Sequence, residues 1–161
     1  MDLSQWLKKF KALHLVARQG GLSSADVRDY QRAREELARA LLGAQRLSLQ
    51  PGQTPRQALR VARALQVELE SPVRKDRLTT FDLSLGGFSA LVNKAPAADE
   101  ALTATLRLPD LKPVTCAVSL VGQSMHAGSV RASFALKGLE PEAQERLELA
   151  VFDAVLAQLG Q

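Results

Sequence analysis

The chain has one cysteine, two histidines and few aromatic residues, 4% of its 161 positions. The lone Cys116 excludes an internal disulfide framework. Standing in a valine-rich run, it reads as a buried small hydrophobe rather than a nucleophile. His14 and His126 are too few and too isolated to build a metal site, so no metal is expected. His14 lies beside an apolar helix face and is expected to be a partly buried packing residue. His126, near Gly122 and Gly128, is expected in an exposed hairpin turn. No apolar run approaches the roughly 20 residues that cross a bilayer. Asp2 and an interrupted apolar pattern do not suit a secretory leader, so a cytoplasmic protein without membrane insertion is expected. No acid, base and nucleophile stand together, which argues against an enzyme.

What is present is an apolar fraction of 46%, enough for a core built mostly from Leu, Val and Ala. The length suits one globular domain with a small appendage. The net charge of +4 hides an asymmetry. Residues 1–77 hold 15 basic against 8 acidic side chains, and residues 78–161 hold 6 against 9. A basic first half implies either an anionic partner or solvated helix faces.

Along residues 3–18, Leu3, Trp6, Leu7, Phe10, Leu13 and Ala17 recur at spacings of three and four, giving one apolar helical face. Gly20-Gly21 stops this helix. Ser23 or Ser24 caps a second, which carries Val27, Tyr30, Ala33, Leu37, Leu41 and Leu42 and is expected to end near Gly43. Residues 1–47 therefore read as a helical hairpin with Trp6 in its core. The lysines and Trp6 of the first helix would also suit a membrane surface, and the pair a helix-turn-helix DNA reader. Packing against the second helix or the main domain is the simpler reading. Residues 48–55, with Pro51, Gly52 and Pro55, read as a linker.

From Val61 the pattern changes to short strands. Val61, Leu65, Val67 and Leu69 suggest the first, and Ser71-Pro72 with the charges from Arg74 to Arg77 suggest the turn after it. Leu78–Leu83 and Phe88–Val92 suggest a strand pair hinged on Gly86-Gly87. Residues 93–100 read as a loop. Leu102–Leu108, Val114–Val121 and Val130–Leu136 complete the set, separated by Pro109, Pro113 and Gly122 or Gly128. Strands at this spacing point to a small antiparallel barrel or sandwich. Pro141 suits a helix N-terminus, and Leu149, Phe152, Leu156 and Leu159 stripe a terminal helix that Leu147, Val151 and Val155 widen.

Two short stretches carry chemistry. Arg56 and Arg60 sit just before the first strand, with Arg63 behind them. Guanidinium groups bind phosphate bidentately, stack on bases and donate to guanine O6 and N7. Arg63 fits either a phosphate contact or a surface charge. Asp82 and Ser84 alternate along a strand and so share a face. The carboxylate could accept from guanine N1 and N2 while the serine adds a hydrogen bond. Gly87, with Gly86 before it, leaves room for a base or lets the backbone turn. A small, doubly anionic purine nucleotide fits this set. Ser84 as a hydrolase nucleophile fits poorly, since Asp82 stands where a nucleophile elbow needs glycine.

Arg56-x-x-x-Arg60, a strand, then Asp82-x-Ser84-x-x-Gly87 resembles the PilZ family, bacterial receptors for cyclic di-GMP. The likeness covers roughly residues 54–161, and the helical hairpin lies outside it. It implies a mainly β (α+β) fold: a six-stranded antiparallel PilZ-type β-barrel over residues 56–161 with a C-terminal helix, preceded by the hairpin. It also implies cyclic di-GMP held on the outer barrel surface by Arg56, Arg60, Asp82, Ser84 and Gly87. Binding would reorder the arginine segment and move the hairpin, which would then expose or hide a surface for a protein partner acting on motility or exopolysaccharide. An interaction module of the same fold, independent of nucleotide, is the alternative. Nonspecific nucleic-acid binding by the basic half is a third reading, and DNA is not the expected partner. A homodimer through the hairpin or the C-terminal helix is open, as is binding of one nucleotide or a stacked pair.

Overall fold

The computed structural model describes residues 2–47, 59–97 and 99–159, apart from the side chains of Arg46 and His126. The expected linker at 48–55 and Arg56 lie outside the described residues. The chain divides into two compact units, with the boundary between Leu59 and Arg60.

The first unit holds two helices, α1 (Leu3–Arg18) and α2 (Ser24–Leu47). Asp2 caps α1, its Oδ1 accepting from Gln5 N at 2.8 Å. Gln19 closes the helix, and Gly20 follows at φ +72°, a conformation glycine adopts without strain. Ser23 precedes α2 and caps it, its Oγ accepting from Asp26 N at 3.2 Å. Contrary to the expected end near Gly43, α2 runs on to Leu47. A glycine inside a helix costs only about 1 kcal/mol, and its Leu, Ala, Gln and Arg neighbours favour continuing. The rings of Trp6, Phe10 and Tyr30 stack in sequence with centroids 5.6 Å apart at each step. His14 is more buried than expected, 2% exposed, with Nδ1 2.6 Å from Tyr30 Oη.

The second unit is a closed barrel of six antiparallel strands. In chain order these are β2 (Gln66–Ser71), β3 (Arg74–Leu83), β4 (Gly87–Val92), β5 (Leu102–Leu106), β6 (Val114–His126) and β7 (Ser129–Lys137). Around the barrel the order is β3-β2-β5-β6-β7-β4, and β3–β4 pairing closes the ring. A two-residue strand, β1 (Val61–Ala62), adds to the far end of β3. Alternate residues such as Val67, Leu69, Ala104, Val114, Val118 and Phe134 fill the interior, as the period of two requires. Phe88 and Phe134 stack there at 5.2 Å, and Cys116 is buried. The terminal helix α3 (Pro141–Leu159) buries Leu147, Val151, Phe152 and Val155. Arg146 ties it to the turn before β6, donating to the carbonyls of Lys112 and Pro113 at 3.2 and 3.3 Å.

Three local expectations change. The strand expected from Val61 to Leu69 is broken at 63–65. There Thr80 Oγ1 donates to Arg63 O and accepts from Leu65 N, replacing ladder bonds. The charges from Arg74 to Arg77 lie in β3 rather than in a turn, which is only Pro72-Val73. Cross-strand acids make this favourable, Glu70 opposite Lys75 and Glu68 opposite Arg77. Gly122 sits within β6 beside a bulge, and the turn is Ala127-Gly128 with His126 ending the strand.

Candidate functional site

The strand pair of β3 and β4 ends at Leu83 opposite Phe88, and three residues connect them. Ser84 shapes this corner. Its Oγ accepts from Gly86 N and Gly87 N, each at 3.2 Å, and its own N–H donates to Gly87 O at 2.9 Å. Gly87 then runs so close to β7 that an added Cβ would overlap the Phe134 carbonyl oxygen and stand 3.1 Å from its carbon. Gly86 is open by comparison, with only Ser84 Oγ near, at 3.9 Å.

A bulge in β3 between Thr80 and Asp82 displaces Phe81 and sets Asp82 opposite Ser89. On the outer barrel surface Asp82 Oδ2 receives two guanidinium groups. Arg131 Nη2 donates to it at 3.0 Å, and Arg60 Nη1 lies 3.8 Å away. Arg131 Nη2 also reaches the buried Ser89 Oγ at 3.3 Å, and its Cζ stands 5.0 Å from the centre of the Phe81 ring. The two arginines are partly exposed, 40% for Arg60 and 38% for Arg131, while Asp82 is 14% exposed. The result is a nearly covered carboxylate beneath two accessible forks, a local excess of positive charge over an aromatic floor. Such a surface can hold a flat heterocycle and an attached phosphate.

Arg63 stands beside this group in the chain. Its N–H donates to Phe81 O at 3.2 Å, and its buried Nε–H has no hydrogen-bond partner among the described residues.

No family model matches the sequence, and no curated protein matches it. Solved structures do share its architecture. Bacillus subtilis inhibitor of motility (MotI/DgrA) superposes with a TM-score of 0.57 at 16% identity, over 68% of this chain and 54% of its own. The PilZ domain of Escherichia coli YcgR, solved with c-di-GMP, gives 0.53 at 17% identity, over 66% of this chain and 96% of its own. The fold is that of a PilZ domain. A third PilZ-fold neighbour, K. pneumonia MrkH in its apo state, gives 0.54 at 18% identity over 70% of this chain and 56% of its own. This chain thus spans about half the length of the first and third of these proteins.

On this PilZ barrel the two sequence motifs fare differently. Arg60 and Asp82 come together as a pair. Ser84 lies past the end of β3, and its hydroxyl is turned into the β3–β4 corner rather than projecting alongside Asp82. Gly87 is required by the approach of β7. Arg56 lies outside the described residues. Arg131, Ser89 and Phe81 were not singled out from the sequence. Phe81 adjoins Asp82, but only the bulge turns it under Arg131. Arg131 is 49 residues from Asp82, and no local spacing links them. Its outward direction is readable from the alternation of β7, with Ala132 and Phe134 inward. Its partner is set by β4, which pairs with β7 on one side and, closing the barrel, with β3 on the other.

Proposed function

We propose that this PilZ-fold chain is a receptor for cyclic di-GMP, binding it on the outer barrel surface at the Arg60–Asp82–Arg131 cluster. The observation that carries this is the convergence of two accessible guanidinium groups on one nearly covered carboxylate. A guanine edge offers N1–H and N2–H donors to Asp82, and its O6 and N7 accept from an arginine fork. The two phosphates answer the charge of Arg60, and Arg63 brings a further positive charge beside it in the chain. Arg56, the other arginine of the motif, belongs to the same proposed site. Gly87 and Gly86 shape its floor, and Ser84 serves it through the turn.

The likeness to a PilZ domain solved with c-di-GMP supports the ligand, and the likeness to an inhibitor of motility supports an output of that kind. In this reading, ligand binding rearranges the segment around Arg56 and Arg60 and so repositions the α1–α2 hairpin for a protein partner. A ligand shifts such an equilibrium only by binding one arrangement more tightly.

Calorimetric titration of the full chain with cyclic di-GMP tests the site. Saturable binding that Asp82→Ala and the Arg56→Ala, Arg60→Ala double variant both lose is the expected result, and its endpoint gives the stoichiometry. No heat and no thermal protection with a folded chain would overturn the receptor reading. The barrel would then serve as an interaction module, for which the self-satisfied Arg131–Asp82–Ser89 cluster already provides a stable surface.

A further inference from the structure

The barrel leaves one strand partly uncovered. β6 runs from Val114 to His126, but β5 pairs only with Val114–Val118. From Ser119 onward, among the described residues, β6 pairs with β7 alone. No other hydrogen bond from the backbone of residues 119–126 is found among the described residues. Residues 121–125 are exposed, Val121 at 64% and Met125 at 72%. Folded proteins usually blunt such an edge with charges, proline, bulges or a covering element. Ser119–His126 has no charged residue and no proline. It has a bulge between Leu120 and Gly122, and that leaves Gly122–His126 as a regular edge.

The turn fixes which groups face outward. Ala127 and Gly128 both have positive φ, 49° and 85°, and form a two-residue loop of the type that closes tight hairpins. The flanking pair His126·Ser129 is then hydrogen-bonded, and so, two residues on, is Ser124·Arg131. Gln123 and Met125, between these pairs, direct their N–H and C=O groups to the open side.

We infer that this edge pairs with the same edge of a second copy of the chain, antiparallel and centred on Ser124. That register sets Gln123 opposite the partner's Met125, and Met125 opposite the partner's Gln123. Each of these pairs exchanges two backbone hydrogen bonds. The two-fold arrangement needs a self-complementary stretch, and an uncharged one meets no like charge across the axis. A charged peptide would find no opposite charge on this strand. The contact is short, and small interfaces are weak, so association grows with concentration and depends on no bound nucleotide.

Sedimentation of the full chain over a concentration series tests this. The average mass is expected to rise from the 17.4 kDa of one chain toward twice that value at the top of the series. Gln123→Pro removes an outward N–H that β7 does not use, and Met125→Lys places like charges near the axis. Both are expected to hold the mass at that of one chain. Met125→Lys alters only an exposed side chain and keeps the test valid if the proline variant unfolds. In the centred register Ser124 faces its own copy as a non-hydrogen-bonded pair, about 4.5 Å between Cα atoms, within disulfide reach. Ser124→Cys is therefore expected to cross-link on oxidation, while the buried Cys116 thiol, its pKa raised by burial, does not. A single-chain mass throughout with no cross-link would overturn self-pairing and leave the edge to an extended segment of another protein. A dimer that both variants leave intact would overturn it as well, because association would then use another face.

Discussion

Arg131 on β7 and Asp82 on β3 stand 49 residues apart in the chain and meet at 3.0 Å across the intervening strand β4. Their contact is held from three directions: Ser89 Oγ accepts from the same Nη2, Phe81 lies beneath the guanidinium, and Arg60 approaches the same carboxylate oxygen. A lone exposed ion pair contributes about 0–1 kcal/mol, so the value of this one lies in fixing the direction of the carboxylate.

Under the receptor reading, Arg131→Ala is expected to weaken cyclic di-GMP binding about tenfold, a loss of about 1.4 kcal/mol. Its effect on stability should stay under about 1 kcal/mol, because the group is partly exposed. Arg131→Lys should not restore affinity, since an ammonium could meet Asp82 and Ser89 but offers no remaining planar N–H fork to a base and no flat face over Phe81. Calorimetry on the three proteins checks this. Tighter binding by Arg131→Ala would mean that Arg131 competes with the base for Asp82.

The two glycines of the β3–β4 corner should separate cleanly. Gly87→Ala forces a methyl group into the Phe134 carbonyl on a neighbouring strand, where backbone must move. A loss of about 1–3 kcal/mol or more is expected from such overpacking. Gly86→Ala meets only Ser84 Oγ at ordinary contact distance, and should change stability by less than about 0.5 kcal/mol. Urea unfolding of both variants is the measurement. Equal effects would show that the corner is not held as described.

Most of the barrel was legible because its strands alternate with the period of their faces: Val67 and Leu69 inward, Leu102, Ala104 and Leu106 inward, and Pro or Gly between runs. Two features escaped for physical reasons. Thr80 replaces ladder bonds with its side chain between β1 and β2, which no hydrophobic pattern records. The charged run from Arg74 forms a strand because its acids lie across the sheet, at Glu68 and Glu70, rather than along the chain. The same limit applies to the site. Arg60 and Asp82 announce themselves by local spacing, whereas Arg131 joins them only when β4 pairs with β7 on one side and β3 on the other.

Glu100 gives the barrel a pH signature. Its carboxylate accepts from Arg74 Nε at 2.9 Å, Ser71 Oγ at 2.8 Å and Ala97 N at 3.3 Å, fastening the loop after β4 to the β2–β3 hairpin. The hydrogen bond from Arg74, then that from Ser71, holds its pKa below the ordinary value of 4.5. A carboxyl group depressed in the folded state stabilises it fully above the unfolded pKa. That contribution is lost as pH falls through the folded pKa. Glu100→Gln should therefore be destabilising at pH 7, and the difference from the parent chain should shrink below about pH 4. Urea midpoints at pH 7 and pH 3 give the comparison, and a constant difference would refute the assignment.

Within the first unit the stacked rings of Trp6, Phe10 and Tyr30 are apolar contacts that tolerate sliding, while the His14–Tyr30 hydrogen bond does not. It joins α1 to α2 at one register, between two side chains each 2% exposed. Tyr30→Phe keeps the ring and removes only the hydroxyl, so its cost reports on that group's hydrogen bonding rather than on ring packing. Removing one partner of a buried pair costs about 1–3 kcal/mol, more than the bond's net worth, because the other group stays desolvated. His14→Leu in the Tyr30→Phe background replaces both partners by apolar groups. It should recover part of the loss, as buried pairs exchanged together do. Amide exchange of residues in α1 reads the result: opening should be faster in Tyr30→Phe and slower again in the double variant. A double variant as open as the single would place the cost in packing rather than in the desolvated imidazole.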